Sequence, residues 1–141
     1  MNVQNMEYNF LILQDRSLFY KEKNKLSSLN RDRMEVLVKK HTLISNTFIQ
    51  EGSLKSEISN LLKNNEVVVN FEKVSSALKE IENNQIISHL KRENFRKISF
   101  PIITKSDCLK KYLIDNSFLF TIDEFLNTSN FQGVELDSWY Q

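Results

Sequence analysis

Apolar positions along this chain fall into short stripes whose spacing is read most simply as helical. Met34, Leu37, Val38, His41, Ile44 and Phe48 recur at steps of three and four behind Asn30, a suitable N-cap, and Gly52 supplies the stop. Leu54, Ile58, Leu61 and Leu62 form the next stripe after Ser53, ending at Asn64-Asn65. Val67, Phe71, Val74, Leu78 and Ile81 then alternate four- and three-residue steps, as the seam of a helix facing a partner would. The period slips at Asn83-Asn84 and resumes through Ile86, Ile87, Leu90 and Phe95. Between Ser17 and Leu29, Leu18, Phe19, Leu26 and Leu29 oppose Lys21, Glu22, Lys23 and Lys25, which predicts one more amphipathic helix.

Two stretches break the helical rhythm. Glu7 to Gln14 (EYNFLILQ) has no helical period and reads as a strand, an extended packing arm or a short buried helix, while Ile98 to Ile103 is held extended by Pro101. Thr104 or Ser106 can cap a short helix carrying Cys108, Leu109, Tyr112 and Leu113, and Thr121-Ile122-Asp123-Glu124 reads as a capping box opening another through Leu126. The expected architecture is therefore mainly α: a small single-domain helical bundle over residues 1–127 with a short N-terminal strand or extended arm. Residues 128–141 form a C-terminal tail, docked by Phe131, Trp139 and Tyr140 or mobile.

Composition narrows the chemistry. Two Gly in 141 residues are too few for a phosphate-cradling loop, which needs several positions where backbone approaches the ligand without a Cβ. A net charge of +1 lacks the basic excess of a general nucleic-acid or anionic-membrane binder, and no apolar run is long enough to span a bilayer. Met1 to Asp15 has no signal-peptide pattern, and the single thiol, Cys108, has no disulfide partner, so a reducing cytoplasm is the expected compartment. His41, His89 and Cys108 lie far apart with no metal-ligand spacing, so neither metal nor cofactor is expected. Cys108 reads as a buried thiol in an apolar stripe, with the alternative of a reactive thiol whose pKa is lowered at a helix start.

Charge is distributed unevenly. Residues 89–111 hold Lys91, Arg92, Arg96, Lys97, Lys105, Lys110 and Lys111 against Glu93 and Asp107, whereas residues 112–141 hold five carboxylates and no base. Such a pattern reads as a solvated face that neutralises itself within the fold, or as a contact surface. As a contact surface its residues are Lys91, Arg92, Arg96, Lys97, Lys110 and Lys111, with Trp139 and Tyr140 from the tail. A helix-turn-helix over residues 30–51 and 54–63 would offer only Lys55 and Lys63 from its second helix, so nucleic acid is the less favoured partner.

The stretch Cys108-Leu109-Lys110-Lys111-Tyr112-Leu113-Ile114-Asp115-Asn116-Ser117-Phe118-Leu119-Phe120-Thr121-Ile122-Asp123-Glu124-Phe125-Leu126 resembles the second half of the nif-eleven-like leader-peptide family: a helix, a turn, an aromatic–x–aromatic pair, a Ser/Thr cap and an acidic residue before an apolar one. The likeness covers residues 73–127, with Val74 through Leu90 standing for the first helix, and departs at Ser117, where the family usually has Gly. It implies a helical domain recognised by a modifying enzyme, with Phe118, Phe120, Thr121, Glu124 and Phe125 as structural matches and the tail as the modified segment.

The expected function is that of a non-enzymatic cytoplasmic protein-interaction module, of inhibitor, immunity or adaptor type, which binds a protein partner through the charged surface or the aromatic tail and has no catalytic residue. The alternatives are a leader-like substrate protein and a small nucleic-acid-binding regulator, the latter marked by steep salt dependence.

Overall fold

Val67-Val68-Val69 and Ile102-Ile103-Thr104 are two runs of β-branched residues in which every side chain is buried. Successive side chains of a strand point to opposite faces, so such runs require a sheet covered on both sides. The computed structural model describes residues 7–47 and 53–141. It replaces the expected helical bundle with a mixed sheet flanked by short helices. Its strands are β1 (Asn9–Gln14), β2 (Ser17–Glu22), β3 (Lys25–Ser28), β4 (His41–Ser45), β5 (Val67–Lys73), β6 (Leu78–Glu82), β7 (Gln85–Leu90), β8 (Arg96–Lys105) and β9 (Phe131–Val134), and its α-helices are α1 (Ser56–Leu61), α2 (Ser106–Asp115) and α3 (Ile122–Leu126).

Seven strands form one sheet in the order β3-β2-β1-β4-β8-β5-β9, and β6 and β7 form a hairpin of their own. The pairs β1–β4 and β5–β9 are parallel, while β8 runs antiparallel to both β4 and β5. Register between β5 and β8 shifts after Val69, across from Phe100 and Pro101. A bulge is where a strand tolerates a proline that cannot donate to the ladder.

Several expected helices are hairpins. Residues 17–29 form β2 and β3 around Lys23-Asn24, and 78–90 form β6 and β7 around Asn83-Asn84. Both residues of each turn have positive φ, the geometry of a type I′ turn, which asparagine tolerates better than most residues. The helix expected after Asn30 is a 3-10 turn at Arg31–Val36, capped by the Asn30 side chain, followed by β4; Phe48 and Gly52 fall outside the described residues. The segment 74–90, which the leader-peptide resemblance makes a helix, is strand and connection.

Other expectations meet their elements: β1 within 7–14, β8 across Pro101, and α1, α2 and α3 near their stripes. The α3 capping box does not form. Thr121 occupies the N-cap position without a side-chain cap bond, and Glu124 faces the Tyr112 hydroxyl at 3.5 Å instead.

The helices divide the core in two. On one face α2 and α3 pack Leu109, Tyr112, Leu113, Phe125 and Leu126 against Leu11, Ile44, Val67, Val69 and Ile102. The rings of Tyr112, Phe120 and Phe125 meet with centroids 5.2–5.8 Å apart, Tyr112 edge-on to the other two. On the other face α1 and the chain's last residues pack Leu54, Ile58, Leu62 and Trp139 against Tyr8, Leu43, Val68 and Ile103. The tail is docked: Tyr140 bridges Leu54, the Lys55 amide donates to the Trp139 carbonyl at 2.8 Å, and the Gln141 amide donates to the Ser53 carbonyl. Among the described residues no helix is long and apolar enough to cross a membrane.

Candidate functional site

Parallel neighbours β1 and β4 pair from Asn9 with Thr42 to Ile12 with Ser45, so their carboxyl ends emerge side by side. From there the chain diverges. It leaves β1 through Asp15-Arg16 into β2 on one side, and leaves β4 toward α1 and then β5, two places away on the other side. Open α/β sheets bind ligands in the crevice outside the carboxyl ends of strands where the winding direction changes. Here that edge carries exposed Gln14, Asp15 and Arg16, with Asn46 and Thr47 following the buried Ser45. Asp15 turns the corner at φ 58°. The Arg16 carbonyl accepts the Phe120 amide at 2.9 Å, which ties the α2–α3 connection to this turn, and Ser45 Oγ accepts the Thr47 amide at 3.4 Å.

Farther along the same edge a polar relay fixes the tail. The Trp139 indole N–H donates to Asn70 Oδ1 at 3.1 Å, and Asn70 Nδ2 donates to Ser99 Oγ at 2.9 Å. The anchor is placed by the β5–β8 bulge, which begins at Asn70.

At the opposite, amino end of β4, a cavity of about 90 Å³ is lined by Glu7, Tyr8, His41, Leu54, Ser59, Leu62 and Ile103. Burial, with Lys40 and Lys105 nearby, lowers the His41 pKa. Below this, the Thr42 and Ser106 hydroxyls meet at 2.7 Å and Ser106 Oγ donates to the Lys39 carbonyl, joining β4 to the start of α2.

Cys108 is not an activated nucleophile. Its thiol donates to Glu66 Oε2 at 2.9 Å, and burial, reinforced by that carboxylate, pushes its pKa up to about 11. Glu66 in turn lies below its ordinary range, held there by the thiol and by the Asn130 amide. The clamp joins the starts of β5 and α2 to the approach to β9. Among the described residues no group of three or more His, Cys, Asp or Glu is placed to hold a metal ion.

The residues expected to form a contact surface are spread over three settings. Lys91, Arg92, Arg96 and Lys97 lie at the root of the β6–β7 hairpin, where Arg92 Nη1 donates to the Ser75 carbonyl at 2.8 Å and Arg96 binds the Glu93 and Phe95 carbonyls and pairs with Glu135. Lys110 and Lys111 are on α2. Trp139 is 2% exposed and inside the core, and Tyr140 is half-buried. Sequence reasoning did not single out Arg16; a base in a two-residue hairpin turn has no spacing signature.

No family profile and no curated protein matches the chain. Among solved structures, 2-C-methyl-D-erythritol 4-phosphate cytidylyltransferase from Thermus thermophilus is similar with a TM-score of 0.51 at 14% identity, over 77% of this chain and 57% of that one. The 4-diphosphocytidyl-2C-methyl-D-erythritol synthase from Anaerococcus prevotii is similar with a TM-score of 0.48 at 14% identity, over 73% of this chain and 52% of that one. The chain thus spans little more than half the length of these structures, and at this identity the likeness is one of fold. The mixed sheet overturns the expectation of a mainly α bundle, and a fold shared with an enzyme stands against the expected non-enzymatic inhibitor, immunity or adaptor module.

Proposed function

We propose that the chain is a nucleotide-binding domain of nucleotidyltransferase type, with its ligand held at the carboxyl edge where β1 and β4 part. The observation that carries the reading is that divergence, with Arg16 beside it on a turn tied to Phe120. The fold likeness supports it. Arg16 supplies the cation for a phosphate, as a planar fork of donors. Asn46 and Thr47 offer an amide and a hydroxyl for the remaining polar atoms. A phosphate-cradling glycine loop is not needed where a guanidinium takes that role.

In the transfer reaction of this class, an oxyanion of the acceptor attacks the α-phosphorus of a nucleoside triphosphate, the new P–O bond replaces the α–β bridge bond, and pyrophosphate leaves with the displaced electron pair. The part assigned to this chain is to bind and orient the triphosphate.

Isothermal titration of the full chain with CTP, ATP, GTP and UTP, as sodium and as magnesium salts, tests this. Saturable one-to-one binding that pyrophosphate competes away is the expected result. Arg16→Ala then weakens binding about 10- to 100-fold, the loss of one charged hydrogen-bonding partner. Absence of saturation by any of the four at millimolar concentration, with the protein folded by circular dichroism, overturns the proposal.

A further inference from the structure

His41 opens β4 and lines the cavity at that strand's amino end. Its Nε2 is shielded from solvent and has no hydrogen-bond partner among the described residues. An unpaired nitrogen in such a position is costly, and a ligand group that meets it removes the cost. Two more polar side chains line the same cavity of about 90 Å³. Glu7 accepts the Leu54 amide on Oε1 at 3.0 Å, which fixes the carboxylate and leaves further lone pairs for a donor. Ser59, exposed on α1, offers a hydroxyl, and Leu54, Leu62 and Ile103 supply an apolar wall.

Charge indicates what fits. An uncharged imidazole accepts at Nε2 when its proton sits on Nδ1. Burial first, then Lys40 and Lys105, lower the His41 pKa against the opposing pull of Glu7, and the balance favours that uncharged acceptor. Lys105 faces His41 across the β4–β8 ladder, yet neither lysine lines the cavity, and among the described residues Glu7 is the one charged side chain that does. The lining thus presents a carboxylate, an imidazole nitrogen and a hydroxyl beside an apolar wall. A primary ammonium matches them with its N–H donors and its positive charge. At about 30 Å³ for each water-sized group, the cavity takes an amine of about three to four non-hydrogen atoms.

We propose that this cavity binds a short primary alkylamine in its ammonium form, donating to Glu7, Ser59 and, with a small turn of the imidazole toward the ligand, His41 Nε2, while its carbon chain packs on Leu54, Leu62 and Ile103. The cavity lies at the end of β4 opposite the carboxyl edge, so the proposal is independent of what that edge binds.

Proton NMR of the histidine Cε1–H signals of the full chain is the test. The chain has two histidines, and His89, on β7 and outside the cavity lining, serves as the internal reference. Propylammonium chloride is expected to shift the His41 signal saturably. A ligand of about four non-hydrogen atoms binds no tighter than tens of micromolar, so half-saturation is expected in the millimolar range. The ligand's charge and the ring proton exclude each other, so binding is lost as pH falls through the His41 pKa. By reciprocity, a preference of about tenfold for the uncharged ring moves the His41 titration midpoint down by about one pH unit at saturation, with His89 unmoved. Glu7→Gln keeps an oxygen for the Leu54 amide but removes the charge, and is expected to weaken binding at least about tenfold with an unchanged far-UV spectrum. Tetramethylammonium chloride, which carries the charge without an N–H, is expected to leave His41 unshifted. No saturable His41 shift with propylammonium, an equal response to tetramethylammonium, full affinity in Glu7→Gln, or a saturable rise of the midpoint with sodium propionate, the mark of an anion site, overturns the proposal.

Discussion

Replacing Asn70 by alanine isolates the anchor of the tail. In the native protein its Oδ1 accepts the Trp139 indole N–H at 3.1 Å and its Nδ2 reaches Ser99 Oγ at 2.9 Å, while Trp139 is 2% exposed. Asn70→Ala leaves the indole N–H buried without an acceptor, which costs about 1–3 kcal/mol. The Ser99 hydroxyl can rotate to another partner, so its lost bond adds at most about 1 kcal/mol, and the expected total is about 1–4 kcal/mol. With a urea dependence of about 2 kcal/mol per molar, the unfolding midpoint falls by about 0.5–2 M. Trp139 is the sole tryptophan, so its emission reads the anchor directly while far-UV circular dichroism reads the sheet. The two transitions should shift together, because the tail is bonded to residues 53–55 and to β5. An unchanged midpoint in both probes refutes the anchoring role, and a fluorescence transition that moves alone refutes the coupling.

Phe125→Ala removes a fully buried ring packed on Tyr112 and Phe120 and should cost about 3–5 kcal/mol, measurable as a lowered thermal midpoint; a loss below about 1 kcal/mol would show that the site collapses around the gap. Cys108, with its pKa raised from 9.0 to about 11, should be alkylated by iodoacetamide at pH 8 about a hundredfold more slowly than an unperturbed thiol, in line with its thiolate fraction, and Glu66→Gln should accelerate the reaction. Equal rates in wild type and Glu66→Gln would remove the carboxylate as a cause.

The sequence misleads where strand and helix share a spacing. Val67 and Phe71 are four apart and both sit in β5, where a four-residue step returns to the same face as it does in a helix; Val74 lies in the connection, and Leu78 and Ile81 in β6. In β4, Thr42 to Ser45 are all buried, so no alternation betrays the strand. The charges of Lys21 to Lys25 resemble the wet face of a helix because a hairpin turn lies among them. Asn83-Asn84, which interrupts the apparent helical period, does carry a legible signal, since asparagine tolerates the left-handed region that a two-residue hairpin turn requires. β1 is legible through its lack of helical period, and α2 through the stripe at Leu109, Tyr112 and Leu113. The carboxyl-edge site is not: Arg16 and Ser45 share an edge only because β1 and β4 pair, and no local pattern encodes a neighbour thirty residues away.

Strand β8 has a further consequence during biosynthesis. In the sheet it lies between β4 and β5 and hydrogen-bonds to both, so while residues 96–105 are still inside the ribosome those two strands have no neighbour to join them. The nascent chain can form the β1–β2–β3 meander early, through local pairings, but its central ladder waits for a partner some sixty residues downstream of β4, and the exposed edges of β4 and β5 are then open to other nascent chains. Pauses in translation that hold β8 inside the ribosome should therefore raise aggregation, whereas pauses after β8 has emerged should not.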